Sequence, residues 1–183
     1  MSQKVDMKKI LDAIEPSEDF KKLEKFFIGV DSSLTGNAVV IINDKGEIIN
    51  ENVISTNKEC YINGAQRVLD VFDQMKYIVN VQRLEKIYIE DLAYSSNSTT
   101  LFERCGLLFL ITTYLLRKDI YYSTIPPTEL KKWHTTDGHA DKALMMRVAK
   151  CKYGIDFKDD NICDAYCLAM LALEDYKNNV KRG

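Results

Sequence analysis

A chain of 183 residues, 46% apolar and 28% charged, can bury the core of one full domain and is too rich in core-forming side chains to be disordered. Its net charge of −2 argues against a uniformly basic nucleic-acid binder. No apolar run reaches the roughly 18–20 residues of a membrane span, and MSQKVDMKK leads into no signal-peptide core, so the reading is a cytoplasmic protein without a membrane segment.

Residues 1–25 mix Lys, Glu and Asp with Ile10, Leu11, Ile14, Phe20 and Leu23, the pattern of a short amphipathic helix broken at Pro16 and Ser17 and followed by a further turn or two. This predicts an N-terminal helical extension, leaving 26–183 as the core domain. The β-rich run FFIGVD (26–31) is followed by NAVVII (37–42), a turn at NDKG (43–46) and EIINENVI (47–54), which reads as a three-stranded antiparallel meander. Val68, Leu69, Phe72, Met75 and Val79 recur at helical spacing and predict a helix over about 62–82. A strand, KIYIE (86–90), and a polar loop, DLAYSSNS, come next, with a helix N-cap near Asn97 or Ser98. A helix apolar all round is expected from 99 to 117, then a strand IYYST (120–124) stopped by Pro126 and Pro127. A short helix at 128–133, a basic amphipathic helix at about 140–152 and a last helix from near 160 to 177 complete the chain. The five cysteines are odd in number, form no CxxC pair and read as buried thiols.

Strands 86–90 and 120–124 are reached through helical crossovers and should run parallel to the first. The expected fold is therefore α/β, with a mixed five-stranded sheet of three antiparallel and then two parallel strands flanked by helices. This is the element order of the ribonuclease H-like fold.

Three carboxylates fall at topologically matched points. Asp31 closes the first strand, Glu90 closes the fourth, and Asp164 opens the apolar stretch DAYCLAMLAL. Parallel neighbouring strands bring their carboxyl ends together, and clustered acids repel one another unless a cation joins them. The pattern points to a divalent-metal site for phosphodiester cleavage, since magnesium takes oxygen ligands and a pair of ions can clamp both oxygens of an in-line displacement. Asp160 and Asn161, four and three residues before Asp164, fall near its helix face, and either can be a fourth ligand. A basic stretch, with Lys131, Lys132, Lys142, Arg147, Lys150 and Lys152 against Asp137 and Asp141, supplies a local face for DNA on a nearly neutral protein. His134 and His139 flank the TTDGH loop in the same stretch, where they read either as phosphate contacts or as plain exposed side chains.

With GVDSSLTGNAVVI, IYIEDLAYSSNSTTLFERCG, PTELKKWHTTDGHADK and DDNICDAYCLAML in this order, the chain resembles the RuvC-type Holliday-junction resolvases over 26 to about 175. The small size and N-terminal extension suit a phage-encoded member acting in the cytoplasm of a bacterial host. The resemblance implies a homodimeric endodeoxyribonuclease of DNA recombination and repair that nicks four-way or other branched DNA symmetrically and leaves a 5′-phosphate and a 3′-hydroxyl. It implies two Mg2+ ions per site, with Mn2+ as a substitute, and no nucleotide cofactor. Asp31, Glu90 and Asp164 match three of its four acidic positions. The family carries Asp or His where this chain has Asn161, so Asp160 is the expected fourth acid. Lys131 or Lys132 and Lys142 match lysines that hold the DNA backbone. Ser32 and Ser33 would line the site, Arg104 would face the DNA, and Tyr94 lies one residue from where the family places an aromatic wedge. The alternative reading is a branched-DNA scaffold of the same fold that binds without efficient cutting. A sugar-kinase-like phosphotransferase, which shares the DxSxxTG-like strand turn, needs a second, duplicated domain that 183 residues cannot hold.

Overall fold

A computed structural model describes residues 24–92 and 100–181. The expected N-terminal extension therefore lies outside the described residues except for Glu24 and Lys25, as do Tyr94 and the expected cap at Asn97 or Ser98. The strands are β1 (Phe26–Asp31), β2 (Asn37–Asn43), β3 (Ile48–Ile54), β4 (Leu84–Glu90) and β5 (Tyr122–Ile125). The helices are α1 (Gly64–Val79), α2 (Leu101–Arg117), α3 (Pro127–Thr135), α4 (Lys142–Tyr153) and α5 (Asp160–Val180). The sheet runs β3-β2-β1-β4-β5, antiparallel across the first three strands and parallel from β1 to β4 to β5, as expected.

Boundaries moved where local hydrogen bonding outranks hydropathy. The Asn63 side chain accepts from Gln66 N at 2.9 Å, so α1 starts at Gly64 rather than 62. Asp141 caps Leu144 N at 2.7 Å and starts α4 at Lys142, and Gly154, with φ of 74°, ends it in the left-handed conformation. Pro127 does more than stop a strand: it occupies the first turn of α3, where its missing N–H costs nothing. Asp159 caps α5 through Asn161 N and Ile162 N, which places Asp164 one turn inside that helix and not at its start.

Alternation along the strands separates two cores. Ile28 and Val30 of β1, with Val39, Ile41, Ile87 and Ile89, pack against α1 and α2. Phe27 of β1, with Ala38, Val40 and Ile42 of β2, packs against α3, α4 and α5. Gly29 and Asp31 share the parity of Phe27, so they face α5. At Gly29 the helix backbone occupies the space of a side chain: a Cβ there would overlap the Ala165 carbonyl oxygen and lie 2.5 Å from Ala169 N and 2.8 Å from Leu168 Cβ. The Tyr166 hydroxyl donates to Gly46 O at 3.0 Å and ties the same helix to the β2–β3 turn.

Three expectations are corrected. The buried face of α1 is Arg67, Val68, Val71, Met75 and Val79, whereas Leu69 is half exposed, because an arginine with internal partners takes a place on the apolar stripe. Helix α2 buries one stripe, Leu107, Ile111 and Leu115, and leaves Phe102, Phe109 and Leu116 in solvent. Only Cys163 and Cys167 are buried; Cys60, Cys105 and Cys151 are exposed, since they lie off the packed faces of their elements. Among the described residues no helix is long and apolar enough to cross a membrane.

Because α5 rests on β1 backbone to backbone, Gly29→Ala should destabilise the protein by at least the upper end of the roughly 1–3 kcal/mol typical of overpacking. Chemical denaturation of the variant beside the wild type measures it, and a loss below about 1 kcal/mol would show that the helix can move away.

Candidate active site

The parallel register of β1 and β4 pairs Val30 with Ile89, so Asp31 and Glu90 leave the sheet side by side at its carboxyl end. Both share the strand parity that faces α5. The close seat of α5 at Gly29 brings Asp164, one residue before Ala165, down beside Asp31. All three line one cleft of about 510 Å³, together with Asp160, Asn161, Ser33, Thr35, Thr100, Arg67, Arg104 and Lys142.

The cleft is electrostatically frustrated. Burial, then the charge of Glu90, pushes the Asp31 carboxyl far above the ordinary aspartate range. Glu90 is raised chiefly by burial, with Asp164 adding to it. Burial and the charges of Asp31 and Asp160 lift Asp164 to about 7. Asp31 and Glu90 lie close enough for each to bear on the protonation of the other. Cations partly offset the repulsion: Arg104 acts on Asp31 and Glu90, Lys131 on Glu90 and Asp164, and Lys142 on Asp164. Lys142 is also ion-paired to Asp160. Among the described residues no three acids are already drawn to metal-ligand spacing.

The expected site residues divide into three groups. Asp31, Glu90, Asp160, Asn161, Asp164, Ser33, Lys142 and Arg104 all border the cleft. Ser32 does not: it is buried, and its hydroxyl donates to Glu90 O at 2.9 Å, so it ties the ends of β1 and β4 together. Lys131 and Lys132 lie on α3 and Arg147 on α4, outside the lining, with Lys132 and Arg147 exposed. His134 is not a surface group of the TTDGH loop; it is fully buried on α3, with Nε2 3.1 Å from Met145 O and its ring stacked on Tyr153. Burial lowers its basicity, so it is no phosphate contact.

Arg67 is a residue of the cleft that hydropathy patterning does not reveal. It is 2% exposed at the back of the cleft, where Nε donates to Thr56 Oγ1 at 2.8 Å and Nη2 to Leu34 O at 3.0 Å. Its Nη1 stands 3.8 Å from Glu103 Oε2. This brace joins α1, α2 and the loop after Asp31. The available signal was its place four residues before Val71 and eight before Met75, on the apolar stripe of α1.

A family model described as "Crossover junction endodeoxyribonuclease RuvC" matches residues 27–172. A protein of that name from Brachyspira hyodysenteriae is 24% identical over 128 residues, 70% of this chain and 79% of its own length. Another from Caldicellulosiruptor saccharolyticus is 27% identical over 152 residues, 78% of this chain and 89% of its own. Among solved structures, Thermus thermophilus RuvC in complex with a Holliday junction substrate superposes with a TM-score of 0.69 at 13% identity, covering 86% of this chain and 96% of that one. The yeast mitochondrial Holliday junction resolvase gives a TM-score of 0.52 at 14% identity, over 85% and 82%.

Asp31 and Asp164 bind protons more readily folded than unfolded, so above an unfolded pKa near 4 each increment of pH costs stability until the folded pKa is passed. The metal-free protein should therefore lose stability from pH 5 to pH 8. Asp164→Asn should flatten that slope and stabilise the protein at pH 8 by about 1–3 kcal/mol. Thermal melts in EDTA across this range check both, and a variant less stable than the wild type at pH 8 would contradict the repulsion described here.

Proposed function

Because this chain belongs to the family of RuvC crossover junction endodeoxyribonucleases, we propose that it is a metal-dependent, structure-selective nuclease that resolves four-way DNA by paired phosphodiester hydrolysis. The observation that carries the reading is the convergence of Asp31, Glu90, Asp160 and Asp164 on one cleft at the carboxyl ends of β1 and β4.

The donor set fits hard cations, because it offers carboxylate oxygens whose mutual repulsion a divalent ion would relieve. Asp31, Glu90, Asp164 and Asp160 would hold Mg2+, or Mn2+ in its place, with the Asn161 carbonyl as a neutral oxygen in the same lining. When bound, a pair of such ions would activate water and neutralise charge on the attacking and leaving oxygens. Asp31 and Glu90 would have to be ionised to hold the cation. Lys142 would offer its ammonium to the DNA backbone, with Lys131, Lys132 and Arg147 extending the basic face. Ser33 borders the acids and can donate to a phosphate oxygen, and Tyr94, by family resemblance, enters the junction. Residues 26–183 would form the nuclease domain, with 1–25 appended, and the protein would act in the bacterial cytoplasm, other branched DNA included among its substrates.

Two nicks related by symmetry need two sites, which a two-fold dimer supplies. Helices α1 and α2 offer the face for it: Val68, Leu69, Phe102, Phe109 and Leu110 line an apolar groove of about 530 Å³, with Phe102 91% and Phe109 73% exposed. Side chains this large and apolar belong in an interface.

The scaffold reading draws on the Lys142–Asp160 ion pair, which engages the expected fourth acid, and on Asn161 where an acid or histidine would stand. Cleavage of a labelled immobile four-way junction, against linear duplex, separates the two. The wild type should cut the junction alone, with Mg2+ and not with EDTA. Asp31→Asn, Glu90→Gln and Asp164→Asn should each lose at least about two orders of magnitude in rate, the scale of losing transition-state electrostatics, while retaining junction binding. Tight binding with no cutting under any divalent ion would favour the scaffold. In sedimentation, Phe109→Glu should convert a dimer to a monomer, and an unchanged dimer would move the interface elsewhere.

A further inference from the structure

Three basic side chains line the cleft, and two of them are engaged. Arg67 is buried, with Nε on Thr56 Oγ1 and Nη2 on Leu34 O. Lys142 is paired with Asp160. Arg104 differs: its charge bears on both Asp31 and Glu90, yet among the described residues its guanidinium makes no hydrogen bond or ion pair. A group that served only to neutralise the acids would close onto one of them. Among the described residues Arg104 forms an ion pair with neither Asp31 nor Glu90, although all three line the same cleft, so its planar fork of five N–H donors is available to a further anion.

We infer that Arg104 is a substrate-contacting residue that holds a backbone phosphate of the cut strand against Asp31 and Glu90; this rests on the nuclease reading above. Its position is built rather than incidental. Arg104 N–H donates to Thr100 O at 3.0 Å in the first turn of α2, and Thr100 lines the same cleft. The preceding residue, Glu103, is braced by Arg67 from below and fills the space that a side chain at Gly64 would need. The first turn of α2 is thus held at the cleft, and the positive end of this 17-residue helix adds to the attraction for an anion. A bidentate guanidinium–phosphate pairing fixes direction as well as charge, which the flexible lysines of α3 and α4 cannot do.

The test compares wild type, Arg104→Ala, Arg104→Gln and Arg104→Lys in two measurements on the immobile four-way junction. One is the single-turnover cleavage rate in Mg2+; the other is equilibrium binding in EDTA between about 50 and 200 mM salt. The Ala and Gln variants should cleave at least tenfold more slowly, and Lys should recover part of the rate. For Ala and Gln the log–log salt slope should become shallower by about one, as expected when one phosphate is no longer neutralised. Gln keeps the fold test independent, since it removes the charge while retaining a polar side chain. A rate and slope equal to wild type overturn the inference. So does a slower rate with an unchanged slope, which would confine Arg104 to balancing the acids. A wild type that fails to cut removes both readings, whereas a wild type that cuts beside an unchanged variant removes this one alone.

Discussion

The backbone contact between α5 and β1 at Gly29 is the constraint from which the rest of the site follows. A glycine there lets Ala165 and Ala169 lie where a side chain would otherwise stand. The helix consequently crosses the central strand backbone to backbone, and a residue one position before Ala165 reaches the residue two positions after Gly29. Asp164 meets Asp31 for that reason. The register of β4 then supplies Glu90, and the Ser32 hydroxyl on Glu90 O fixes the two strand ends against each other. A larger residue at 29 would lift α5 and separate the carboxylates without touching any of them.

What this contact gathers is unfavourable by itself. Buried carboxylates that raise one another's affinity for protons reduce stability at neutral pH, and the protein tolerates this because two large cores lie on either side of the sheet. Arg67 makes the opposite contribution. Its burial would be costly alone, yet two carbonyls, a hydroxyl and a nearby carboxylate surround it, and it joins the loop after Asp31 to both helices of the far face. The cleft thus has an acidic floor set by α5 and β1 and a rigid basic wall set by α1 and α2.

Hydropathy and strand-end acids made much of this legible. The meander, both parallel strands and every helix from Gly64 onward follow from periodicity and turn residues, and the meeting of Asp31 with Glu90 follows from the parallel pairing, whereas the approach of Asp164 depends on the seat of α5 at Gly29, which periodicity does not show. Helix limits were less legible, because Asn63, Asp141 and Asp159 decide them through single side-chain bonds that hydropathy does not register. Burial of polar residues was least legible. His134 and Arg67 are internal because specific carbonyls receive them, and Ser32 turns inward for the same reason; a partner distant in sequence leaves no mark on the local pattern. The cysteines erred the other way, since an apolar neighbourhood in sequence is not a packed face in space.

The two borders of the sheet also govern how this protein can meet copies of itself. At one border β3 carries Asn50 and Glu51 in solvent beside the exposed Ile49 and Val53; at the other β5 is four residues long and runs into Pro126 and Pro127. The charge of Glu51 on one edge and the prolines that close the short other edge make both poorer templates for a further strand. Growth of the sheet from molecule to molecule is thereby discouraged at both ends. A dimer of the kind proposed would rest on side-chain packing between helices, which can be exchanged or dissolved without unzipping a backbone ladder.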